Sequence, residues 1–426
     1  MTTTVAVFTR DLRVRDNPML AAAVRGAEHV VPLFVRDRAV TAFSPRRTRF
    51  LDEALSDLDS SLRERGGRLV TREGDPVAEA CRVAAEVSAT RVHIAGDSSR
   101  YARRREQALE DALTCELVVH DDVHTVVPPG AITPSGRDHF AVFGAYHRQW
   151  VDYDRRAPAS TPKRIALPRV EAGDVPPAQG GGETAARRRM TSWLATAAES
   201  YVDQHDMMAV DGTSKLSQYL HLGCLSAAEL ARRAERAPEF VRQLAWRDFH
   251  HQVLAARPAV AHEDYRPRGD RWLDDDHALD AWKTGETGIP VVDAGMRQLL
   301  AEGWMHNRAR MVVASFLTKT LYLDWRAGAA HFYTHLLDGD LANNQLNWQW
   351  VAGTGTDTRP NRVLNPLRQA ERFDPNGEYV RRYVPELSSV TDVRRPWTLP
   401  AKARNGYPVP IVDLAEGRAR FLAARG

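Results

Sequence analysis

Short apolar runs alternate with helix-like patterns over roughly the first 125 residues of the chain. Runs rich in β-branched residues predict five strands, at 4–9, 29–35, 68–71, 91–95 and 116–120. The stretch 47–65 repeats apolar residues at helical spacing, in one stripe formed by Phe50, Leu51, Ala54, Leu55, Leu58 and Leu62. Strands separated by single helices predict parallel βαβ units. We therefore expect residues 1–126 to form an α/β domain with a doubly wound parallel five-stranded sheet.

The pattern changes twice further along the chain. Prolines recur through 127–186 and three glycines follow one another at 180–182, which predicts an interdomain linker. The aromatic segment 140–150 within it is expected to dock on a neighbouring domain. From 187 to 426 helical spacing dominates and predicts an all-α domain, most clearly at 215–234, 240–256 and 291–302.

Composition narrows the class of protein. Of the 426 residues, 43% are hydrophobic and 27% are charged, which is typical of globular proteins, and the length favours two domains. The chain has neither an apolar run long enough to span a membrane nor a signal-peptide pattern, so we expect a cytoplasmic location and no membrane partner. Its three cysteines and the isolated His306 lack disulfide or metal-ligand spacing, so we predict no metal site. Arginine-rich clusters leave two interpretations open, a solvated surface or a cationic surface for phosphates.

The segment 338–356 combines polar and aromatic residues densely. Its polar residues include Asp338, Asp340, Asn343 and Asn344. If these groups are buried, they must be hydrogen-bonded or paired. Trp348 and Trp350, two positions apart on a helix, would point to nearly opposite faces. One indole could then face an interior cofactor while the other lines a cavity; a capped helix that packs two tryptophans is the alternative.

Positive charges that could pair with these carboxylates lie close to Trp304. On a helix, Trp304, Arg308 and Met311 would share a face. Arg308 and Arg310 would point to different sides and would therefore need different partners. One arginine paired with Asp338 would stabilise two otherwise costly charges.

Two further segments suit phosphorylated or planar ligands. Residues 212–217, GTSKLS, offer backbone amides, hydroxyls and a lysine at the expected start of a helix. This suits a phosphate, and an ordinary helix cap is the alternative. Residues 243–251 place Gln243, Trp246 and Arg247 on one helical face, where an amide, an indole and a guanidinium could hold a flat base.

Together these segments resemble the photolyase/cryptochrome family, and most closely its bacterial class I cyclobutane pyrimidine dimer DNA photolyases. Five blocks follow the family's order: FTRDLRVRDNPML, DGTSKLSQYLHLGCLS, QLAWRDF, TGIPVVDAGMRQLLAEGWMHNRARM and DGDLANNQLNWQWVAGTGTD. The resemblance implies an α/β antenna domain at 1–126, a linker at 127–186 and a helical FAD-binding and lesion-binding domain at 187–426. It also implies a carbon-carbon lyase, a deoxyribodipyrimidine photo-lyase, that repairs pyrimidine dimers in DNA under blue light.

The resemblance implies FAD as the cofactor and electron transfer as the mechanism. An electron passes from light-excited, reduced anionic FAD to a dimer flipped out of the DNA, the cyclobutane ring splits and the electron returns. The residues implied to hold FAD are Tyr201, Thr213, Ser214, Leu216, Ser217, Arg247, Arg310, Asp338, Asp340 and Asn344. Asn344 is implied to face flavin N5, where a neutral amide favours the reduced anion.

The same resemblance assigns residues to the lesion and to electron transfer. The residues implied to contact the dimer are Gln243, Trp246, Asn307, Arg308, Met311 and Trp350. Among them, Trp246 and Trp350 would clamp it. A chain of indoles that reduces oxidised flavin under light is implied at Trp348, Trp325 and Trp272.

Two other activities stay open within this resemblance, a cryptochrome-like blue-light sensor and a (6-4) photolyase. Gln243 stands where dimer photolyases of the best-known class usually have glutamate, and it leads us to expect a weaker repair yield. Asn344, Asn307 and Met311 favour dimer repair. Outside the resemblance, an α/β nucleotide-binding domain joined to a helical adaptor is the remaining interpretation.

An antenna chromophore is the least specified part of the prediction. Segment 96–105 lacks the tyrosine-rich sequence associated with folate binding, and Arg47 and Asp97 fall where deazaflavin-binding members make contacts. We therefore expect a deazaflavin rather than methenyltetrahydrofolate. A surface salt bridge without a chromophore is the alternative. We expect a monomer.

Overall fold

The structure is a computed structural model, and it describes residues 2–37 and 44–425 of the chain. The chain forms two compact units. The first consists of Met1–Glu199 and Ser214–Pro258, and the second of Ser200–Thr213 and Ala259–Gly426. Within the described ranges, no helix has the length and apolar character needed to cross a membrane.

A parallel sheet forms the centre of the first unit. Its strands are β1 (Thr3–Phe8), β2 (His29–Arg36), β3 (Val70–Glu73), β4 (Arg91–Ala95) and β5 (Glu116–His120). They lie in the order β3-β2-β1-β4-β5, and each is within two residues of its predicted position. All residues of β1 are buried, as expected for a central strand covered on both faces. The chain order reverses between β1 and β4, the point where open α/β sheets bind ligands at the carboxyl ends of their strands.

Helices connect these strands. They are α1 (Pro18–Val24), α2 (Pro45–Arg63), α3 (Pro76–Glu86) and α4 (Arg100–Ala112). Asn17, Asp75 and Ser99 cap α1, α3 and α4, because each side chain accepts a hydrogen bond from a backbone N–H in the first turn. The predicted apolar stripe of α2 is buried except for Leu51, which is half-buried at its edge.

The next helices along the chain are shared between the units. They are α5 (Phe143–Asp152), α6 (Gly182–Thr196), α7 (Tyr201–Gln204), α8 (Ser217–His221), α9 (Ala227–Arg233) and α10 (Pro238–Ala256), of which α7 alone belongs to the second unit. Segment 140–150, expected to dock on a neighbouring domain, packs against α10 of its own unit. The Phe140 backbone N–H donates to Gln252 Oε1 at 2.9 Å, and the Trp150 indole N–H donates to Asp248 Oδ2 at 2.9 Å.

The second unit is built of helices around an apolar core. Its further helices are α11 (Asp276–Thr284), α12 (Pro290–Glu302), α13 (Asn307–Ser315), α14 (Trp325–His335), α15 (Leu341–Ala352), α16 (Pro366–Phe373), α17 (Glu378–Tyr383) and α18 (Leu414–Arg425). A π-helical segment, Phe316–Leu321, lies between α13 and α14. Trp282 and Trp325 are fully buried in the core. The predicted fold class, an α/β sheet domain combined with a helical region, is confirmed.

The helix expected over 215–234 is interrupted. The chain forms α8 and α9 instead and turns at Gly223, whose φ is +66°. A Cβ at this position would lie 1.8 Å from the carbonyl oxygen of Arg10, so the turn requires glycine. The close approach of a distant segment, which helical periodicity does not register, ends the helix here.

The prediction that Trp304 shares a helix with Arg308 is wrong. Helix α12 ends at Gly303, which adopts the left-handed conformation (φ +65°), and Trp304 lies in the connection that follows. Helix α13 begins only after His306, whose Nδ1 accepts a hydrogen bond from the Arg308 backbone N–H at 3.1 Å. His306 is therefore a helix cap.

Candidate functional site

Arg310 and Asp338 form an ion pair in the second unit. Arg310 Nη2 donates to Asp338 Oδ2 at 2.9 Å, and Arg310 Nε donates to the carbonyl of Met305 at 2.9 Å. The Asp338 side chain is only 6% exposed, so its charge needs a partner. Arg308 turns elsewhere and donates to Asp206 Oδ2 at 2.6 Å. The predictions of one arginine paired with Asp338 and of different partners for the two arginines are confirmed.

Asp340 and Asn344 lie at the start of α15, directly after Asp338. Asp340 caps the helix, because its Oδ1 accepts from the backbone N–H of Asn343 at 2.9 Å and from the Asn343 side-chain amide at 2.7 Å. Asn344 is buried, and its Nδ2 donates to the carbonyl of Ala329 at 2.9 Å. The second N–H of this amide donates to Gln345 Oε1 at 3.2 Å, so both donors are used and the acceptor Oδ1 is the atom that can face a ligand.

Residues 214–217 of the segment predicted to bind a phosphate form a tight turn in the first unit. Lys215 has a φ of +51°, which is uncommon for a residue other than glycine. The Leu216 backbone N–H donates to Ser214 Oγ at 3.3 Å, and Arg189 Nε donates to the Ser214 carbonyl at 2.9 Å. Ser217 follows as the exposed first residue of α8. The helix therefore begins at the end of the predicted segment.

Tyr201 and Thr213, also implied to hold FAD, belong to the second unit. Tyr201 is the buried first residue of α7, and its ring stacks on that of His205 with centroids 4.9 Å apart. Thr213 is half-buried.

Helix α10 carries three predicted site residues on its solvent-facing side. Gln243 is exposed and Trp246 and Arg247 are partly exposed, whereas the residues between them are buried, so the predicted shared face is confirmed. The Trp246 ring stacks face to face on Phe143 of α5, with centroids 3.7 Å apart and planes inclined by 7°. Arg247 Nη1 donates to the carbonyl of His124 at 2.7 Å.

The other residues implied to contact the lesion lie in the second unit. They are Asn307, Arg308, Met311 and Trp350, and all are at least partly exposed. The guanidinium carbon of Arg362 lies 5.1 Å from the centroid of the Trp350 ring, a cation–π distance. Trp348, on the same helix, is 3% exposed. The predicted opposite orientation of the two tryptophans is therefore confirmed.

The indoles implied to transfer electrons contact one apolar cluster of the second unit. Trp348 meets Phe332 edge to face, with centroids 5.0 Å apart. Trp325 is fully buried, and its indole N–H donates to Asp264 Oδ1 at 2.8 Å. Trp272 packs against the cluster and is partly exposed. Burial thus decreases from Trp348 and Trp325 to Trp272.

Charged groups gather where β1 and β4 end. Arg10 Nε donates to Asp97 Oδ2 at 2.8 Å, and the Asp97 backbone N–H donates to Glu106 Oε1 at 3.2 Å. Burial opposes the charge of Asp97, but Arg10, His124 and the backbone N–H of Ser99 together outweigh it and hold the pKa of Asp97 far below its usual value. Burial raises the pKa of Glu106 to about 7. Arg47, the other predicted antenna contact, is buried on α2 with Nη2 3.2 Å from His221 Nε2.

Three further residues were not singled out from the sequence. Phe143 stacks on Trp246, and Tyr322 packs on Trp272 with ring centroids 5.1 Å apart. Lys319 is 1% exposed in the second unit. The aromatic segment 140–150 pointed to Phe143 in general terms, but its partner lies far away along the chain.

Comparisons with known proteins identify the family. The model of DNA photolyase matches residues 4–163, and the model of the FAD binding domain of DNA photolyase matches residues 240–425. A deoxyribodipyrimidine photo-lyase of Streptomyces griseus is 54% identical over the full length of both chains. The chain belongs to the DNA photolyase family.

Solved structures agree with this assignment. A bacterial class III photolyase from Agrobacterium tumefaciens has a TM-score of 0.90 and 32% identity, and the match covers 99% of this chain and 96% of that one. A Synechocystis cryptochrome has a TM-score of 0.91 and 27% identity, and the match covers 99% of both chains. The predicted family, the photo-lyase class of enzyme and light-driven dimer repair are confirmed, and the matched FAD-binding domain supports FAD as the cofactor. Class I stays a prediction.

Proposed function

We propose that this chain repairs cyclobutane pyrimidine dimers in DNA with reduced FAD held by the residues described above. The buried amide of Asn344 is the observation that carries the proposal. Its nitrogen already donates to Ala329, so the group offers an acceptor oxygen and no acidic proton. Placed beside flavin N5, such a group favours the reduced anion on which repair depends.

The donor set fits FAD. Arg310 supplies a positive charge for an anionic ring, and Asp338 fixes the guanidinium in place. The turn 213–217 supplies hydroxyls and backbone N–H groups suited to phosphates. FAD, when bound, supplies the photochemistry, and the protein binds and orients it and excludes water.

Each unit carries partly exposed residues that suit lesion recognition. Trp246 and Trp350 offer indole faces on which unstacked bases can lie once the dimer is flipped out. Asn307 and Arg308 add hydrogen-bond donors. Gln243 can donate a hydrogen bond to the lesion but, unlike glutamate, cannot share a proton with it. We therefore expect a weaker repair yield than a glutamate would give.

The three indoles would return the cofactor to its reduced state. Trp348 would act first, Trp325 second and Trp272 last. The partial exposure of Trp272 supports its place as the last indole, because that indole must be reachable by an external reductant.

A deazaflavin antenna is proposed at the carboxyl ends of β1 and β4. The Arg10–Asp97 ion pair and Glu106 support it, because they place charged groups at the reversal point of the sheet, where such folds bind ligands. The alternative was a surface salt bridge without a chromophore. Asp97 does form a salt bridge, but its side chain is only 8% exposed and so does not lie at the surface. We also propose a monomer in the cytoplasm.

Light-dependent repair of an oligonucleotide with one thymine cyclobutane dimer tests the proposal. Purified, photoreduced protein is assayed with a dark control and a parallel (6-4) substrate. We expect restoration of the cyclobutane dimer alone, and only in light. If neither lesion is repaired although FAD is bound and photoreducible, a cryptochrome-like sensor is the better assignment. The absorption spectrum of the same preparation tests the antenna, since a deazaflavin adds a band beyond those of FAD.

Gln243→Glu in the same assay tests the interpretation of Gln243. We expect a higher repair yield, because a protonated glutamate can share its proton with the dimer radical anion, whereas an amide can only donate a hydrogen bond. An unchanged yield together with unchanged lesion affinity would contradict this interpretation and leave the repair function intact.

A further inference from the structure

Tyr322 lies beside the more exposed end of the proposed tryptophan chain. Its ring centroid is 5.1 Å from that of Trp272, with the planes inclined by 49°. This is the usual separation of aromatic side chains in contact, so no residue stands between the two rings. Trp272 is partly exposed, whereas Tyr322 is 3% exposed. The tyrosine therefore contacts the last indole from the protein interior.

Main-chain contacts fix the two rings relative to each other. The Leu273 backbone N–H donates to the carbonyl of Tyr322 at 2.9 Å, and Leu273 forms a parallel bridge with Leu323. Tyr322 directly follows the π-helical segment Phe316–Leu321 and has a φ of +59°, which is rare for a bulky residue. Such a conformation persists only where the surrounding structure determines it. The tyrosine is thus held firmly against Trp272.

The phenol of Tyr322 also has a proton acceptor in place. Its O–H donates to Asp270 Oδ1 at 3.1 Å. Arg425 donates to the same carboxylate from Nε and from Nη2, at 2.6 Å each, and both side chains are almost fully buried. These two charge-assisted bonds orient the carboxylate towards the phenol.

We propose that Tyr322 is the terminal electron donor of the tryptophan chain. This inference rests on the proposed role of Trp272. After light has withdrawn one electron from Trp272, Tyr322 gives one electron to the oxidised indole and its O–H proton to Asp270. A neutral tyrosyl radical remains. It later takes back one electron through the partly exposed Trp272, which an external thiol reduces, and the proton returns from Asp270; the thiol becomes a thiyl radical and releases its proton to water. Because the positive charge on the indole is removed, the electron stored on the cofactor loses its nearest partner for recombination.

Flash excitation of the protein loaded with oxidised FAD tests the proposal by transient absorption and by electron paramagnetic resonance. In the unmodified protein we expect a tryptophan radical that decays as a tyrosyl radical rises, and a slower rise in deuterated buffer. In Tyr322→Phe, which keeps the ring and loses the O–H, we expect loss of the tyrosyl signal and faster recombination. Absence of a tyrosyl radical in the unmodified protein after Trp272 has been oxidised would overturn the proposal.

Two further variants separate the possible causes of failure. Tyr383→Phe is the matched control, because this hydroxyl bonds to Glu302 and its ring packs on Tyr379; it should leave the tyrosyl signal unchanged. Loss of the signal in both tyrosine variants would overturn the assignment to Tyr322. Trp272→Phe should abolish the tyrosyl radical. If that variant still forms it at the normal rate, the proposed tryptophan chain fails, and this inference fails with it.

Discussion

Two tryptophans of the molecule, Trp246 in the first unit and Trp348 in the second, lie in opposite kinds of surroundings. Trp246 is partly exposed; its ring stacks face to face on Phe143 and meets Phe249 edge to face. Trp348 is 3% exposed and meets Phe332 and Trp282 by edge-to-face contacts. Trp246 thus keeps part of its indole at the surface, whereas Trp348 is enclosed by its neighbours.

Because of this difference, changes near Trp246 and changes near Trp348 should affect different properties of the protein. A stacked aromatic pair contributes about 0.5–1.5 kcal/mol beyond its buried area, so changes behind Trp246 should alter ligand affinity more than folding. A fully packed indole transmits small changes in volume to its neighbours, because protein cores are as dense as organic crystals. Changes beside Trp348 should therefore affect folding and electron transfer together.

Gly328→Ala should give the largest effect. A Cβ at this position in α14 would lie 2.3 Å from Trp348 Cη2 and 2.6 Å from Leu317 Cδ2, so the indole or the helix must move. Overpacking of this kind costs about 1–3 kcal/mol, against a gain of at most about 1 kcal/mol from the helix propensity of alanine. Denaturant unfolding measures the net loss, and photoreduction of bound FAD should slow.

Gly144→Ala is the matched control in the first unit. Gly144 lies on α5, and none of the described atoms comes within 4 Å of its added Cβ beyond its own helix and neighbours. We expect a gain of about 0.5–1 kcal/mol, because alanine loses less conformational entropy than glycine on folding. If Gly328→Ala and Gly144→Ala lost the same free energy of unfolding, the loss in Gly328→Ala could not be attributed to packing against Trp348.

The free energy of unfolding should depend on pH through Lys319 of the second unit. Its Nζ donates to the carbonyls of Pro360 and Arg362 at 2.7 and 2.8 Å, and burial lowers its pKa from 10.5 to about 7. Between these values the unfolded chain binds the proton and the folded chain releases it. Stability should therefore rise with pH above 7, by at most about 1.4 kcal/mol per pH unit, and this contribution should be constant below 7.

Denaturant titrations between pH 6 and about 9 measure this slope, a range that spans the lowered pKa. Lys319→Met should remove the contribution, whereas Lys283→Met should leave it in place, because Lys283 pairs with Asp280 at the surface. A slope that persists in Lys319→Met would assign the pH dependence to another group.

Local patterns predicted most of the fold, because they follow from short-range physics. The β-branched runs predicted the strands of the parallel sheet to within two residues. The break at Gly223 was missed because the carbonyl of Arg10 that requires it is distant in sequence. The end of α12 was different, since Gly303 was a visible stop signal before Trp304.

The site shows the same division between local and distant causes. The pairing of Asp338 with one of the two arginines, Arg308 or Arg310, was predictable, because a buried carboxylate needs a cation; the charge argument alone did not say which of them it would be. The contact of Trp272 with Tyr322 could not be predicted. Aromatic residues also fill protein cores, and their spacing along the chain does not say which two rings will meet. The roles given to the FAD-binding and lesion-binding residues rest on the resemblance and stay predictions.

Phe143→Leu should give the smallest effect on stability and a selective effect on binding. Leucine keeps most of the apolar volume but removes the flat partner of Trp246, so stability should fall by less than about 1.5 kcal/mol. Loss of about 0.5–1.5 kcal/mol of stacking corresponds to roughly 2- to 12-fold weaker binding of a dimer-containing oligonucleotide. Binding is measured in the dark at one salt concentration, since phosphate contacts make affinity depend on salt.

A double-mutant cycle decides whether Phe143 acts through Trp246. In a Trp246→Ala background, Phe143→Leu should cause no further loss of affinity, because the ring that it orients is gone. Phe50→Leu is the control, since Phe50 is a similarly buried residue of the first unit whose ring meets Tyr219 at 5.5 Å. It should cost comparable stability and leave lesion affinity unchanged. Additive losses in the cycle would mean that Phe143 supports the fold rather than the orientation of the indole, and the contrast between the two tryptophans would then be one of degree.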